Sequence, residues 1–327
     1  MPRFEYAIVE AGTLSGWKIS YPDHDEKVKC DLMPVLVQLG SAGWERVTMT
    51  DEVGGLPRRL FYKRAHSDKA LTLADRLFSP EGHCHLWLLL DPDAQSTDEL
   101  ARIASEGESA GVSVILIGGS FIAHDGFDDA VRAVKAKVHI PVLLFPGSSR
   151  QISPHADGVL FMSLLSGRNP QYLIGEQVMA APIIKRLGLP VLPMAYLLIE
   201  SGRMTSAEFV SDTKPIPRDK SGLAAAHAMA AELFGMQAVY LEAGSGAEQP
   251  VPSEMIRAVV QSVSIPIIVG GGITSPSLAK EAAEAGASAI VIGTAVEQNG
   301  SSLLGRIADA IATIPNPKSK IQNPKSI

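Results

Sequence analysis

From about residue 71 onward, short continuous apolar runs alternate with stretches of helical period. The runs cover residues 86–90, 112–117, 141–145, 158–162, 191–199, 238–241, 266–269 and 289–292. A run without polar alternation suits a strand covered on both faces, and strands separated by helical segments read as parallel β/α units. Eight such units close into a (β/α)8 barrel of the TIM type; an open doubly wound sheet is the alternative, and no strand-initial G-x-G-x-x-G supports it. Residues 1–65 have a different rhythm. Strands are predicted at 4–10, 45–50 and 60–64, with a helix at 31–42 and a Gly-Gly-Leu-Pro turn between the last two strands. This part is a small βαββ domain. The expected organisation is therefore 1–65, a small domain of unknown role; 66–313, the barrel; and 314–327, a polar tail with a repeated Asn-Pro-Lys-Ser, read as disordered.

Composition narrows the class. With 46% apolar and 20% charged residues, 29 Gly and 22 Pro, the chain reads as a compact globular enzyme. A net charge of −6 leaves no basic stripe for nucleic acid. Cys30 and Cys84 are far apart in sequence, so free thiols and a reducing compartment are expected. The start of the chain lacks a signal-peptide layout, and the apolar stretch 187–199 is short and broken by Pro190 and Pro193, so a cytoplasmic protein without a transmembrane segment is expected. The sequon Asn299-Gly300-Ser301 then has no consequence.

In a barrel the active site lies at the carboxyl ends of the strands. Those ends carry Asp91-Pro92-Asp93, Gly118-Gly119-Ser120, Phe145-Pro146-Gly147, Glu242-Ala243-Gly244-Ser245-Gly246, Gly270-Gly271-Gly272 and Gly293-Thr294. Glycines after the last two strands let backbone N–H groups approach a phosphate, although the same glycines could merely turn the chain. Asp91 and Ser120 offer hard oxygen ligands of the kind Mg²⁺ takes; Asp91-Pro92-Asp93 could also be a capping turn. Glu242, beside the glycine-rich loop, can accept a proton from a hydroxyl of a bound phosphate ester, or can pair with a cation. His83-Cys84-His85 points to alternating faces at the amino end of a strand and is not a metal cluster. Asp128-Asp129 lacks the third carboxylate of a DDxxD motif and reads as a solvated helix face, and Met194, Met204 and Met236 read as core filler.

Taken together, these strand-end motifs, with the run from Tyr240 to Ala247, resemble the geranylgeranylglyceryl phosphate synthase family over about residues 71–312. Ile174-Gly175-Glu176-Gln177, Leu198-Ile199-Glu200-Ser201-Gly202 and the segment 211–217 resemble the branch found in some archaea and bacteria rather than the heptaprenyl branch. Separately, Leu36 to Glu45 resembles the helix-to-strand hinge of a small domain family of unknown function.

The resemblance implies a prenyltransferase that joins the sn-3 hydroxyl of sn-glycerol 1-phosphate to an allylic prenyl diphosphate, geranylgeranyl being expected. It implies acceptor binding over Tyr240, Leu241, Glu242, Ala243, Gly244, Ser245, Gly246, Gly271, Gly272, Gly293 and Thr294. Glu242 and Asp91 are the catalytic pair, with Mg²⁺ on Asp91 and Ser120. Where part of the family has a Lys two residues before the first Asp, this chain has Leu89. The expected partners are the two small-molecule substrates, with a homo-oligomer and a peripheral membrane contact for product release. Rival readings are prenylation of another phosphorylated C3 acceptor, a phosphate-anchored sugar-phosphate isomerase with Asp91 and Glu242 as acid and base, and a degenerate barrel recruiting partners through residues 1–65.

Overall fold

The computed structural model describes the backbone of residues 4–11, 17–20, 25–28, 45–53 and 56–65, and residues 72–78, 82–123 and 125–316 with their side chains, those of 297–299 excepted. The chain divides into two compact units, Met1–Ala70 and Leu71–Ile327.

The first unit is an antiparallel sheet of β1 (Phe4–Ala11), β2 (Trp17–Ser20), β3 (Asp25–Val28), β4 (Glu45–Val53) and β5 (Leu56–Ala65), in the order β3-β2-β1-β5-β4. β1 lies centrally, with Ile8 opposite Phe61 of β5 and Ser20 of β2. The three predicted strands are present, and β2 and β3 add to the expected βαββ pattern. The helix predicted at 31–42 lies outside the described residues.

The second unit is a closed barrel of eight parallel strands. In chain order they are β6 (His85–Leu90), β7 (Val114–Ile117), β8 (Val142–Leu144), β9 (Gly158–Leu164), β10 (Val191–Leu198), β11 (Ala238–Glu242), β12 (Ile267–Gly270) and β13 (Ala289–Ile292). β13 pairs with β6 and closes the ring. Each predicted run falls on one strand.

Alternation along the strands divides the core into two layers. Trp87, Leu116, Leu143, Leu160, Met194, Tyr240 and Ile268 fill the barrel interior. Leu88, Ile115, Leu144, Leu197, Leu241 and Ile290 face the surrounding helices.

Two short pieces finish the amino end of the barrel. Helix α1 (Leu73–Leu77) starts at a reciprocal cap in which the Thr72 hydroxyl accepts from the Asp75 amide at 3.1 Å and Asp75 Oδ2 accepts from the Thr72 amide at 2.8 Å. Its Leu73 and Leu77, with Phe78, join the interior cluster, and the Phe78 ring lies 5.5 Å from that of Trp87. Pro315 bridges to His83, the Asn316 backbone N–H donates to Gly82 O at 3.2 Å, and the Asn316 side-chain oxygen accepts from the Ser288 hydroxyl at 3.1 Å. Residues 314–316, expected to belong to the disordered tail, are instead seated on the barrel; 317–327 lie outside the described residues.

The outer helices are α2 (Thr97–Ser109), α3 (Phe127–Lys135), α4 (Glu176–Leu187) after a π-turn at Gln171–Gly175, α5 (Ser206–Ser211), α6 (Ser221–Leu233), α7 (Ser253–Ser262), α8 (Pro276–Glu284), α9 (Thr294–Asn299) and α10 (Ser302–Ile311). Asp128 and Asp129 sit exposed in the first turn of α3, where Asp129 pairs with Arg132. Among the described residues no helix is long and apolar enough to cross a membrane.

Candidate active site

A cavity of about 420 Å³ opens at the carboxyl ends of the strands. Asp91, Ser120, Tyr240, Glu242, Gly244, Ser245, Gly246, Gly271, Gly272, Gly293 and Thr294 all line it. Leu241 and Ala243 do not. Period-two alternation turns both side chains into the helix-facing layer, so these two expected binding residues can meet a ligand only through their backbone.

Glu242 ends β11 with its side chain buried. Its Oε1 accepts the Gly244 amide at 2.6 Å. Burial pushes the carboxyl up to about 7, against the opposing pull of that amide and of the Tyr240 and Tyr196 phenols. The Tyr240 hydroxyl is itself buried and faces the carboxylate, whose charged form it favours. Tyr196 and Tyr240 are paired in register across β10 and β11, with ring centroids 5.3 Å apart, and Phe145 lies 5.5 Å from Tyr240. These rings form an apolar floor around one side of the base.

The neighbouring glycines are required by this packing. A Cβ on Gly270 would lie 2.2 Å from the Tyr240 hydroxyl, and one on Gly271 would lie 2.4 Å from Glu242 Oε1. Gly271 also has φ +79°, a conformation that L side chains rarely adopt. The cradle is completed by Gly293, which precedes the short helix α9, and by Thr294, whose hydroxyl lies 2.9 Å from that of Ser245. Loops after the seventh and eighth strands with a short extra helix form the usual anion site of this architecture. No Lys or Arg lines the cavity among the described residues, so countercharge for an anion has to come from amides, from the helix start or from a cation.

Across the cavity, Asp91 follows β6. Burial raises its carboxyl, a hydrogen bond from the Asp93 amide to Oδ1 at 3.0 Å opposes the rise, and the Asp93 carboxylate adds to it. The Gly119 backbone packs against the other oxygen: a Cβ there would be 3.1 Å from Oδ2. Asp93 has a second job, since its Oδ2 accepts the Ala123 amide at 2.6 Å and ties the loop after β6 to the loop after β7. Asp91 and Ser120 supply oxygen donors of the type that suits Mg²⁺, and they line one cavity; that donor chemistry fits the ion.

Several functional positions were not apparent from sequence. Gln151, buried, accepts the Gly147 amide at 3.1 Å and donates to Gly119 O at 3.0 Å, holding the loops after β7 and β8 together. Tyr196 and α5 border a second, mostly apolar pocket of about 90 Å³ that shares Ser120, Phe145 and Ala207 with the cavity and runs on to Met162, Leu164, Tyr172 and Val210.

A glycine-built anion cradle, a buried carboxylate and an adjoining apolar pocket on one barrel define the class: a (β/α)8 enzyme acting on a phosphorylated substrate. The chain belongs to the PcrB family, whose model matches residues 80–312. It is 46% identical over 241 residues to geranylgeranylglyceryl phosphate synthase of Korarchaeum cryptofilum, covering 73% of this chain and 94% of the relative. It is 43% identical over 224 residues to the protein of that name from Chitinophaga pinensis, covering 68% and 88%. Among solved structures, (S)-3-O-geranylgeranylglyceryl phosphate synthase from Thermoplasma acidophilum in complex with substrate sn-glycerol-1-phosphate is similar, with a TM-score of 0.70, 40% identity and coverage of 74% of this chain and 98% of that one. A Thermoplasma volcanium structure of the same enzyme gives a TM-score of 0.71 at 38% identity, covering 75% and 99%.

Proposed function

We propose that the chain is a geranylgeranylglyceryl phosphate synthase: it joins the sn-3 hydroxyl of sn-glycerol 1-phosphate to carbon 1 of geranylgeranyl diphosphate and releases diphosphate. The observation that carries this reading is the placement of Glu242, buried beside a glycine-lined anion cradle and next to Tyr196, which lines both that cavity and the apolar pocket. A phosphate held by Gly271, Gly272, Gly293 and Thr294 puts the acceptor beside the carboxylate. The acceptor oxygen forms the new bond to carbon 1 as the carbon–oxygen bond to diphosphate breaks, and Glu242 takes the hydroxyl proton.

With its carboxyl near 7, Glu242 is close to the balance a general base needs at neutral pH, a role worth about 10² to 10⁴ in rate. Asp91 and Ser120 would hold Mg²⁺, which when bound offsets charge on the departing diphosphate. That contribution matters here because Leu89 stands where part of the family has a Lys and no other cationic side chain lines the cavity among the described residues. Tyr196, Phe145, Met162 and Leu164 offer apolar contact to the prenyl chain, each buried methylene contributing roughly 0.8 kcal/mol.

Further parts of the proposal concern surroundings. The barrel is taken to carry the activity without residues 1–65, and the location to be cytoplasmic. A homo-oligomer is supported by α6, which is apolar even on its outer side, where Leu223, Met229 and Leu233 are exposed. A sugar-phosphate isomerase would use the same cradle and needs neither an apolar pocket nor a metal. The deciding experiment incubates the protein and Mg²⁺ with each glycerol phosphate enantiomer, or free glycerol, and allylic diphosphates of graded length, reading product masses. A prenylglyceryl phosphate from sn-glycerol 1-phosphate is expected, and free glycerol should fail. Equal use of free glycerol would remove the phosphate assignment, and conversion that survives chelator without consuming a diphosphate would favour the isomerase.

A further inference from the structure

Large apolar side chains stand in solvent on both lips of the cavity. Phe121, on the loop after β7, is 67% exposed; Met204 and Phe209, on the α5 segment, are 64% and 75% exposed. Phe121 and Ala207 line the same cavity, so the two loops face one another across its mouth.

The outward position of Phe209 is built in. Ser206, Ala207, Val210 and Ser211 of α5 turn towards the two pockets, which leaves Phe209 on the opposite side. The helix is pinned in that orientation at both ends. At its start the Thr205 hydroxyl accepts the Glu208 amide, and the Thr205 side chain fills space against Gly244, where a Cβ would lie 2.3 Å from Thr205 Cγ2. At its end the Tyr172 hydroxyl donates to Val210 O at 3.2 Å and the Asn169 amide donates to Ser211 O at 2.9 Å. With the helix anchored at both ends beside the pocket mouth, the exposed Phe209 ring and Met204 before it have no contact in the barrel core and are presented outward.

We propose that this rim is a lipid-surface contact, with Phe121, Met204 and Phe209 entering the interfacial layer of a membrane. The proposal rests on the prenyltransferase reading. Donor and product both carry a long alkyl chain, and the apolar pocket that would receive it is bordered by Ala207, Val210 and Ser211 of the same helix that carries Phe209. A second copy of the chain seated here would instead cover the cavity mouth that both substrates use. Nearby charges give no positive excess, since Arg203 and Lys214 are offset by Glu208 and Asp212 and both Glu200 and Glu248 lie at Gly202, so the contact is apolar and does not depend on anionic headgroups.

The test is flotation of the full chain with vesicles of phosphatidylcholine, with and without phosphatidylglycerol, for wild type and for Met204→Glu combined with Phe209→Glu. Wild type should float with both vesicle types. The double variant should lose vesicle-bound protein on the order of tenfold or more. Its turnover with a short-chain allylic diphosphate in free solution should stay within about twofold, because neither side chain lines a pocket. Wild type that stays in the aqueous layer, wild type that floats only with anionic lipid, or a double variant that floats like wild type would each overturn the proposal. So would a double variant whose solution mass falls, which would make the rim an interface between copies. Absence of turnover with every donor would instead strike the prenyltransferase reading, while flotation would still report on the rim.

Discussion

The two ends of the barrel both bury ionisable groups, with opposite chemical results. At the amino end, Cys84 is buried beneath the seated residues Pro315 and Asn316 and its thiol is pushed up to about 12 by burial alone. A thiol that high carries almost no thiolate at neutral pH and is inert. His85, beside it, is lowered by burial and by His83, a shift towards the neutral form. At the carboxyl end the same desolvation moves Glu242 to about 7, where both protonation states are populated. Burial thus silences a group whose ordinary value is already high and activates one whose ordinary value is low. The difference between a structural end and a catalytic end lies in the starting chemistry as much as in the surroundings.

The largest expected break of this contrast is Glu242→Gln. Turnover should fall by about 10² or more with saturating substrates, and excess Mg²⁺ should not restore it. The same substitution should stabilise the fold. A carboxyl whose folded value lies above its unfolded one stabilises most below the unfolded value, and that contribution is lost as pH rises through the folded value. Relative to wild type, the Gln variant should therefore gain between about pH 4.5 and 7, reaching up to about 3 kcal/mol in denaturant titrations at pH 8. Equal stability at pH 8 would mean that the carboxylate is fully compensated where it lies.

Asp91→Asn should be next, with turnover down on the order of tenfold or more at fixed Mg²⁺ and partial recovery at high Mg²⁺. A titration of turnover against the metal reads this, and a variant indifferent to Mg²⁺ would remove Asp91 from the metal role. Gly270→Ala tests packing at the same end: its methyl would meet the fully buried Tyr240, so a loss of about 1–3 kcal/mol is expected from thermal unfolding. Cys84→Ala, at the other end, should leave turnover within about twofold and cost about 1 kcal/mol of packing.

How much of this was legible in the sequence follows the same physics. Continuous apolar runs mark all eight barrel strands because both faces of each strand are covered. Asp91 and Glu242 stand out because charge directly after such a run has few structural uses. β2 and β3 escaped because each is four residues long: Trp17–Ser20 alternates but is too short to stand out, and Asp25–Val28 has a single apolar residue. Tyr196 escaped because, inside β10, it reads as one more apolar residue; only the register between parallel strands sets it beside Tyr240 and towards Glu242. Leu241 and Ala243 were legible in principle, since alternation from Glu242 turns both away from the cavity. Gln151 depends on a contact 32 residues away along the chain, which no local pattern encodes.

The pH dependence of kcat/KM tests the contrast most directly, measured for wild type and Glu242→Gln with the acceptor phosphate ionisation determined separately. For wild type a single ionisation near 7 should govern the acidic limb, activity falling about tenfold per pH unit below it, and the residual activity of Glu242→Gln should lack that limb. A wild-type limb near 4.5, or one near 7 that persists in Glu242→Gln, would contradict the assignment of the buried carboxylate as the base.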